Sequence, residues 1–80
     1  MKLELYVGTM CPYCHLVRKE IEKQGRSDVE ICNIDESAEH LNRLVRDGGK
    51  EQIPCLFIDG KPLYESQDIV KWLRKNPPQQ

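Results

Sequence analysis

The sequence predicts a single α/β domain with the element order βαβαββα, in which helices flank a four-stranded mixed sheet. Three observations support this prediction. The apolar run 3–7 is followed by an amphipathic helical segment and a second strand, which is the pattern of a right-handed parallel βαβ unit. Asp59-Gly60 separates two further strand-like runs and is a strong hairpin signal. A last amphipathic segment follows the hairpin, and a chain of 80 residues has room for one core.

The first half of the chain supplies two predicted strands, at 3–7 and 29–34, and two predicted helices. The segment 13–24 has one apolar helical stripe, and Gly25 ends it. Ser37 can cap the second helix, which ends at Gly48-Gly49. The apolar positions of the two helices are Cys14, Val17 and Ile21, then Ala38, Leu41, Leu44 and Val45.

The second half supplies the hairpin and the last helix. Residues 53–58 form a predicted strand, and 61–64 return as an edge strand, where a proline is tolerated. Ser66 is the predicted cap of the last helix, and two prolines after Asn76 stop it. Residues 1–76 are therefore the expected domain and 77–80 a C-terminal tail. The apolar face of the last helix carries Ile69, Val70, Trp72 and Leu73.

Charge and composition exclude several classes of function. The 12 basic and 13 acidic residues give a net charge of −1, without the basic excess that binding to nucleic acid requires. No window is apolar enough for a membrane span, and Glu4 interrupts the stretch where a secretory signal would lie. Four cysteines could form a secreted two-disulfide framework, but an adjacent pair without a signal favours reduced thiols. We therefore expect a cytoplasmic protein.

Two cysteines, Cys11 and Cys14, stand at the junction between the first strand and the first helix. Amides at a helix N-terminus stabilise an anion, so a cysteine there ionises more readily than a free one, whose pKa is about 8.5. Pro12 suits the first helical turn, and the two-residue spacing brings the thiols within disulfide reach. The sequence thus predicts a redox-active dithiol with Cys11 as the nucleophile.

With these motifs in this order, residues 3–75 resemble a glutaredoxin of the Cys-Pro-Tyr-Cys type, the smallest form of the thioredoxin fold. The other marks are Ile53-Pro54, Asp59-Gly60 and Ser66-Gln67-Asp68. The resemblance implies a glutathione-dependent thiol–disulfide oxidoreductase with glutathione as co-substrate and no metal. Cys11 would attack a glutathione mixed disulfide, and Cys14 would be the buried resolving thiol. The expected partners are glutathione and disulfide-containing or glutathionylated proteins, bound by a monomer.

The resemblance also implies a glutathione site. Tyr13 would flank the groove, a cis Pro54 would aim the Ile53 main chain at the cysteinyl part, and Gln52 could reach the glycyl carboxylate. The amides of Ser66 and Gln67 would hold the γ-glutamyl carboxylate, and Asp68 its ammonium. Five of these residues also have a structural alternative. Tyr13 can be an exposed aromatic, Pro54 a trans proline, Gln52 a solvated loop residue, and Ser66 and Asp68 plain capping residues.

Two departures from the family pattern concern glutathione binding. Gly8 stands where many glutaredoxins have a lysine, and Tyr64-Glu65 replaces the usual Gly-Gly before the last helix. Glu65-Ser66 instead resembles the glutathione-binding domain of glutathione transferases. Cys32 is expected to be a small buried hydrophobe, whereas Cys55 follows the proline loop and could lie near the dithiol.

Three alternative functions stay open at this point. The chain could be a thioredoxin-like redoxin reduced by a flavoprotein reductase, which the glycine at position 8 leaves possible. It could hold an iron–sulfur cluster or metal through Cys11 and glutathione, although Pro12 argues against that role. Zinc binding by the dithiol would need further ligands, for which His15 and His40 form no recognised pattern with Cys32 or Cys55. A glutathione transferase fragment would lack the helical domain that forms the electrophile pocket.

Overall fold

The computed structural model describes residues 1–78 and has the predicted element order. Its strands are β1 (Leu3–Val7), β2 (Val29–Asn33), β3 (Cys55–Ile58) and β4 (Lys61–Tyr64), and its helices are α1 (Pro12–Lys23), α2 (Ala38–Gly48) and α3 (Ser66–Lys75). No helix in the described part of the chain is long and apolar enough to cross a membrane. The predicted tail begins within the described chain, but its last two residues lie outside it.

The four strands form one mixed sheet in the order β2-β1-β3-β4. β1 is parallel to β2 and antiparallel to β3, and β3 is antiparallel to β4. The parallel pair encloses α1, and the Asp59-Gly60 turn joins the hairpin, as predicted. The sheet is thus the four-stranded mixed sheet of a thioredoxin-like fold. Because β1 lies inside the sheet, every residue of this strand is buried, including Glu4.

Alternating side chains of the strands build a core on each face of the sheet. One face packs against α1 and α3, which contact each other, and the other face packs against α2. The first cluster contains Leu3, Leu5, Val7, Cys14, Val17, Leu56, Ile69 and Leu73. The second contains Tyr6, Cys32, Leu44, Cys55 and Phe57. The dithiol therefore belongs to the α1/α3 face.

The element boundaries depart from the expected ones at the functional end of the sheet. Helix α1 begins at Pro12 rather than at residue 13, because Cys11 takes an extended conformation and caps it. β3 begins at Cys55 rather than at residue 53, since the Ile53-Pro54 peptide is cis and proline has no N–H for the ladder. β2 ends at Asn33, one residue early, although the Ile34 N–H still donates to the Val7 carbonyl.

Two predictions about the helices, the cap of α3 and the apolar stripe of α2, were wrong in detail. The cap of α3 is Glu65, with φ 72° and ψ 115°, and Ser66 is the first helical residue. Ser37 does cap α2, but its side chain makes no capping hydrogen bond. Ala38 and Val45 of the predicted apolar stripe are exposed, because α2 meets the sheet chiefly through Leu44.

Candidate active site

The two cysteines of the dithiol are joined in a disulfide, with their Cα atoms 5.2 Å apart. Cys11 sits at the N-cap of α1, where its Sγ accepts a hydrogen bond of 3.1 Å from the Cys14 backbone N–H. Cys14 is buried, whereas Cys11 is half-buried. No acidic residue lies in the first turn of α1, so the helix N-terminus can favour negative charge on Cys11. Of the two sulfurs, that of Cys11 is therefore the more accessible and lies at the helix N-terminus.

The loop before Cys11 is held by the last residue of β2 and by a residue just after this strand. The Thr9 N–H donates to Asp35 Oδ2 at 2.7 Å, and Asn33 Nδ2 donates to Thr9 Oγ1 at 3.3 Å. Asn33 also accepts a hydrogen bond of 2.8 Å from the Asp35 N–H. Sequence reasoning missed these contacts, although a polar residue at the end of the parallel partner strand and another just after it point to the same sheet edge. They tie the loop that precedes Cys11 to the end of β2.

A groove of about 620 Å³ opens between the dithiol loop, the cis-proline loop and the start of α3. All seven residues proposed for glutathione line this groove: Tyr13, Gln52, Ile53, Pro54, Ser66, Gln67 and Asp68. Glu65 also lines it. The fold therefore brings together three segments that are far apart in the sequence, at the same end of the sheet as Cys11.

The start of α3 offers backbone donors to this groove. Ser66, Gln67 and Asp68 occupy the first turn, where helix geometry gives their N–H groups no intrahelical acceptor. The Ile69 N–H is the first to bond within the helix, to the Glu65 carbonyl at 3.0 Å. Such a turn binds a carboxylate well. The Asp68 side chain lies in the same turn and adds a negative charge that an ammonium group can meet.

Gly8 and Ile53 meet beneath the groove. A Cβ atom built on Gly8 would lie 2.6 Å from Ile53 Cδ1, closer than a real Cβ can approach. A lysine at this position would therefore require the Ile53 side chain to move. The observed packing of Ile53 in the cis-proline loop therefore requires a residue without a Cβ atom at position 8.

Cys32 and Cys55 are free thiols in the second core cluster, on the sheet face away from the dithiol. Burial raises the pKa of each thiol to about 11, so both are protonated at neutral pH. Cys32 is the small buried residue that the sequence predicts. Cys55 directly follows the proline loop, but the strand alternation turns its side chain towards α2 rather than towards Cys14.

A second polar cluster lies under α2 and was not anticipated from the sequence. The carboxylate of Glu4 is 4% exposed and binds both terminal nitrogens of Arg43, with Nη2 3.0 Å from Oε1. Glu4, Glu30 and Cys32 place one ligand atom each within 4.8 Å of one another. The Arg43 guanidinium already occupies both carboxylate oxygens of Glu4. We therefore assign this cluster to a buried ion pair rather than to a metal site.

Comparison with known proteins agrees with this geometry. The family model described as Glutaredoxin matches residues 3–63. Glutaredoxin 3 of Escherichia coli strain K12 is 28% identical over 67 residues, which cover 84% of this chain and 80% of the relative. A probable glutaredoxin of Synechocystis is 26% identical over 68 residues, covering 85% and 77% of the two chains.

Solved structures show the same fold. The thioredoxin-like protein BC3987 superposes with a TM-score of 0.78 at 26% identity, over 92% of this chain and 97% of that one. A glutathione S-transferase of Methylobacillus flagellatus with glutathione bound has a TM-score of 0.77 at 25% identity, over 96% of this chain and 38% of the transferase. With a redox-active disulfide at the start of α1 and a family match across most of the chain, this protein belongs to the glutaredoxin family and is a thiol–disulfide oxidoreductase.

Proposed function

We propose that the protein uses glutathione as its co-substrate and reduces both protein disulfides and glutathione mixed disulfides. One observation carries the proposal: a single groove is lined by Tyr13, which lies between the two cysteines, by the cis-proline loop and by the first turn of α3 with its free amides. The glutathione bound in the transferase of similar fold supports the same ligand.

The first step is a thiolate–disulfide exchange at Cys11. In the reduced protein, the Cys11 thiolate attacks the glutathionyl sulfur of a mixed disulfide. A bond forms between Cys11 Sγ and that sulfur, the substrate S–S bond breaks, and the departing thiolate takes a proton. The Cys14 N–H, which lies 3.1 Å from Cys11 Sγ in the disulfide form, is placed to stabilise the attacking thiolate.

Two routes return Cys11 to its reduced form. A second glutathione thiolate can attack the glutathione on Cys11, which yields oxidised glutathione and the free Cys11 thiolate. Alternatively, Cys14 attacks Cys11 Sγ, which releases glutathione and forms the intramolecular disulfide seen in the structure. Two glutathione molecules then reduce that disulfide and leave as oxidised glutathione.

The groove would hold glutathione by its γ-glutamyl end and by its cysteinyl part. The amides of Ser66 and Gln67 face the γ-glutamyl carboxylate, and Asp68 faces the neighbouring ammonium. The Ile53 backbone pairs with the cysteinyl part as a short added strand, which sets its sulfur beside Cys11. Tyr13 and Gln52 border the remaining length of the groove.

The test is the reduction of a small mixed disulfide by the wild-type and Cys11→Ser proteins. Each protein is supplied in parallel with glutathione plus glutathione reductase, or with thioredoxin reductase. We expect NADPH consumption with glutathione that disappears in Cys11→Ser. Turnover with thioredoxin reductase alone would contradict glutathione dependence while leaving the disulfide chemistry intact.

A second candidate function is a thioredoxin-like redoxin reduced by a flavoprotein reductase. The similarity to the thioredoxin-like protein BC3987 over nearly its whole length favours it. So does the groove, which has no cationic side chain among its described lining residues to hold a second carboxylate. The free amides of α3 are the feature that favours glutathione.

We further propose that the protein works as a monomer in the cytoplasm on disulfide-containing or glutathionylated proteins, without nucleic acid, membrane or metal. The two core clusters enclose the sheet on both faces, so the fold needs no second copy to bury its core. A dithiol that must be returned to its reduced form suits a reducing compartment. Sedimentation of the reduced protein would test the monomer.

A further inference from the structure

The groove beside the dithiol is negatively charged. Glu65 and Asp68 line it, and no lysine, arginine or histidine of residues 1–78 does so. The nearby Lys50 is directed elsewhere, with its Nζ 4.5 Å from the centre of the Tyr64 ring. Any ligand of this groove therefore meets two carboxylates and, apart from the amides of α3, only neutral groups.

Glutathione does not match this charge pattern at both ends. At neutral pH its γ-glutamyl end carries one ammonium and one carboxylate, and its glycyl end carries a second carboxylate. The amides of α3 and the Asp68 carboxylate suit the γ-glutamyl end. For the glycyl carboxylate there remain the hydroxyl of Tyr13 and the amide of Gln52, both uncharged.

Glu65 weakens even that neutral contact. Gln52 Nε2 donates a hydrogen bond of 3.2 Å to Glu65 Oε1, so a carboxylate of the protein already uses this amide. Glu65 is the N-cap of α3, next to Ser66 and Gln67, and its backbone has a φ of 72°. A glycyl carboxylate would have to compete with Glu65 for Gln52 while being repelled by it.

We propose that Glu65 is a specificity-determining residue that makes the groove favour γ-glutamyl thiols with an uncharged C-terminal end, such as amides or esters of glutathione, over free glutathione. The inference rests on the proposed function, since it concerns the same groove and the same attack of Cys11 on the ligand's sulfur. It adds the charge class of the thiol that this site prefers.

The test compares two mixed disulfides that differ by one charge. Both contain 2-mercaptoethanol as the leaving thiol, and the other half is either glutathione or its glycyl ethyl ester. The second-order rate constant for oxidation of the reduced protein is measured by acid quenching and mass spectrometry. We expect the ratio of the two rate constants, ester over glutathione, to be about two to five, which is the size of an exposed charge interaction. Added salt should lower this ratio, because it screens the charges.

Three variants test whether Glu65 causes the preference for the ester. Glu65→Gln keeps the acceptor for Gln52 but removes the charge, and it should bring the ratio close to one by raising the rate with glutathione. Glu65→Gly, which accepts the positive φ, guards against a folding defect and should do the same. Glu51→Gln is the matched control, because Glu51 is exposed and precedes Gln52 but does not line the groove. Its ratio should stay that of the wild type.

Two results would overturn the inference. One is a wild-type protein that reacts with the glutathione form as fast as with the ester. The other is an equal change of the ratio in Glu65→Gln and Glu51→Gln, which would reveal a general charge effect. Bis(2-hydroxyethyl) disulfide, which contains no glutathione, is the reference substrate. It distinguishes a failure of the charge preference from a failure of glutathione recognition. If neither glutathionyl disulfide reacts faster than this reference, glutathione recognition itself is absent, and the charge preference falls with it.

Discussion

Cys11 and Cys14 differ in exposure although only two residues separate them. The N-cap position leaves Cys11 half-buried, while the first turn of α1 carries Cys14 into the core with Val17. Reduction of a mixed disulfide needs an accessible thiolate, and resolution needs a second thiol that is held close to the first but away from other disulfides. One helix start supplies both environments.

This difference predicts separate effects of the two serine substitutions. Cys11→Ser should lower the reduction of every disulfide by at least about a hundredfold, because the nucleophile is lost. Cys14→Ser should keep the reduction of glutathione mixed disulfides but lose most activity on protein disulfides, which require intramolecular release. Steady-state assays on both substrate types measure this. Equal loss of the two activities in Cys14→Ser would contradict the glutathione-only route.

Arg43 is the second residue whose role depends on its surroundings. It binds the buried Glu4 carboxylate, and its guanidinium carbon lies 6.0 Å and 5.4 Å from the ring centres of Tyr6 and Phe57. Arg43→Met should therefore lower the free energy of unfolding by about 3 kcal/mol, since it leaves a buried charge without its main partner.

The control for this prediction is Arg46→Met, measured by urea unfolding alongside Arg43→Met. Arg46 pairs with Asp47 on the surface of the same helix and is 72% exposed, so its loss should cost much less stability than the loss of Arg43. Adding Glu4→Gln to Arg43→Met should recover part of the stability, because the unpaired charge disappears. Similar costs for both arginine variants would rule out a special role for the buried pair.

At the scale of elements, the junction between β4 and α3 is the most unusual. Glu65 has φ 72°, a region where a residue with a Cβ is disfavoured, yet it caps α3 and lines the groove. Where glutaredoxins usually have glycine, this chain places a carboxylate instead. The strained backbone is therefore retained at the point where the ligand's charged end would lie.

Glu65→Gly should raise the free energy of unfolding by about 1 kcal/mol, because the relief of strain exceeds the extra entropy of glycine in the unfolded chain. Ser37→Gly is the matched control. Ser37 is also a helix N-cap, but its φ is −148° and its side chain makes no capping bond. This control should gain nothing. Thermal and urea unfolding of both variants would measure the difference, and a loss of stability in Glu65→Gly would contradict the strain.

The sequence predicted the elements better than their ends. Hydrophobic periodicity located all seven elements, and the motif at residues 11–14 located the dithiol. The strained cap at Glu65 could not be predicted, since nothing in the sequence itself shows a positive φ in a residue with a Cβ. Nor could the pairing of Glu4 with Arg43, which depends on a contact across 39 residues. The groove was predicted through the family resemblance rather than from periodicity.

At the scale of the whole molecule, the two faces of the sheet have separate tasks. The α1/α3 face holds the dithiol and borders the groove, whereas the α2 face buries Cys32, Cys55 and the Glu4–Arg43 pair. The sheet therefore separates the free thiols of Cys32 and Cys55 from the dithiol. Their protonated state is a consequence of that burial, and it makes the stability of the molecule depend on pH.

Stability should fall as pH rises from about 9 to about 11. Burial raises the pKa of Cys32 and of Cys55 from the ordinary 9.0 to about 11. In this range the unfolded chain has lost both protons while the native state keeps them, so raising the pH favours unfolding. Urea unfolding of Cys11→Ser/Cys14→Ser under reductant would follow the two thiols alone. Adding Cys32→Ala and Cys55→Ala should flatten the pH dependence, leaving the smaller part due to Tyr64, whose pKa burial raises to about 12. An unchanged slope would show that the two thiols are not the groups that titrate.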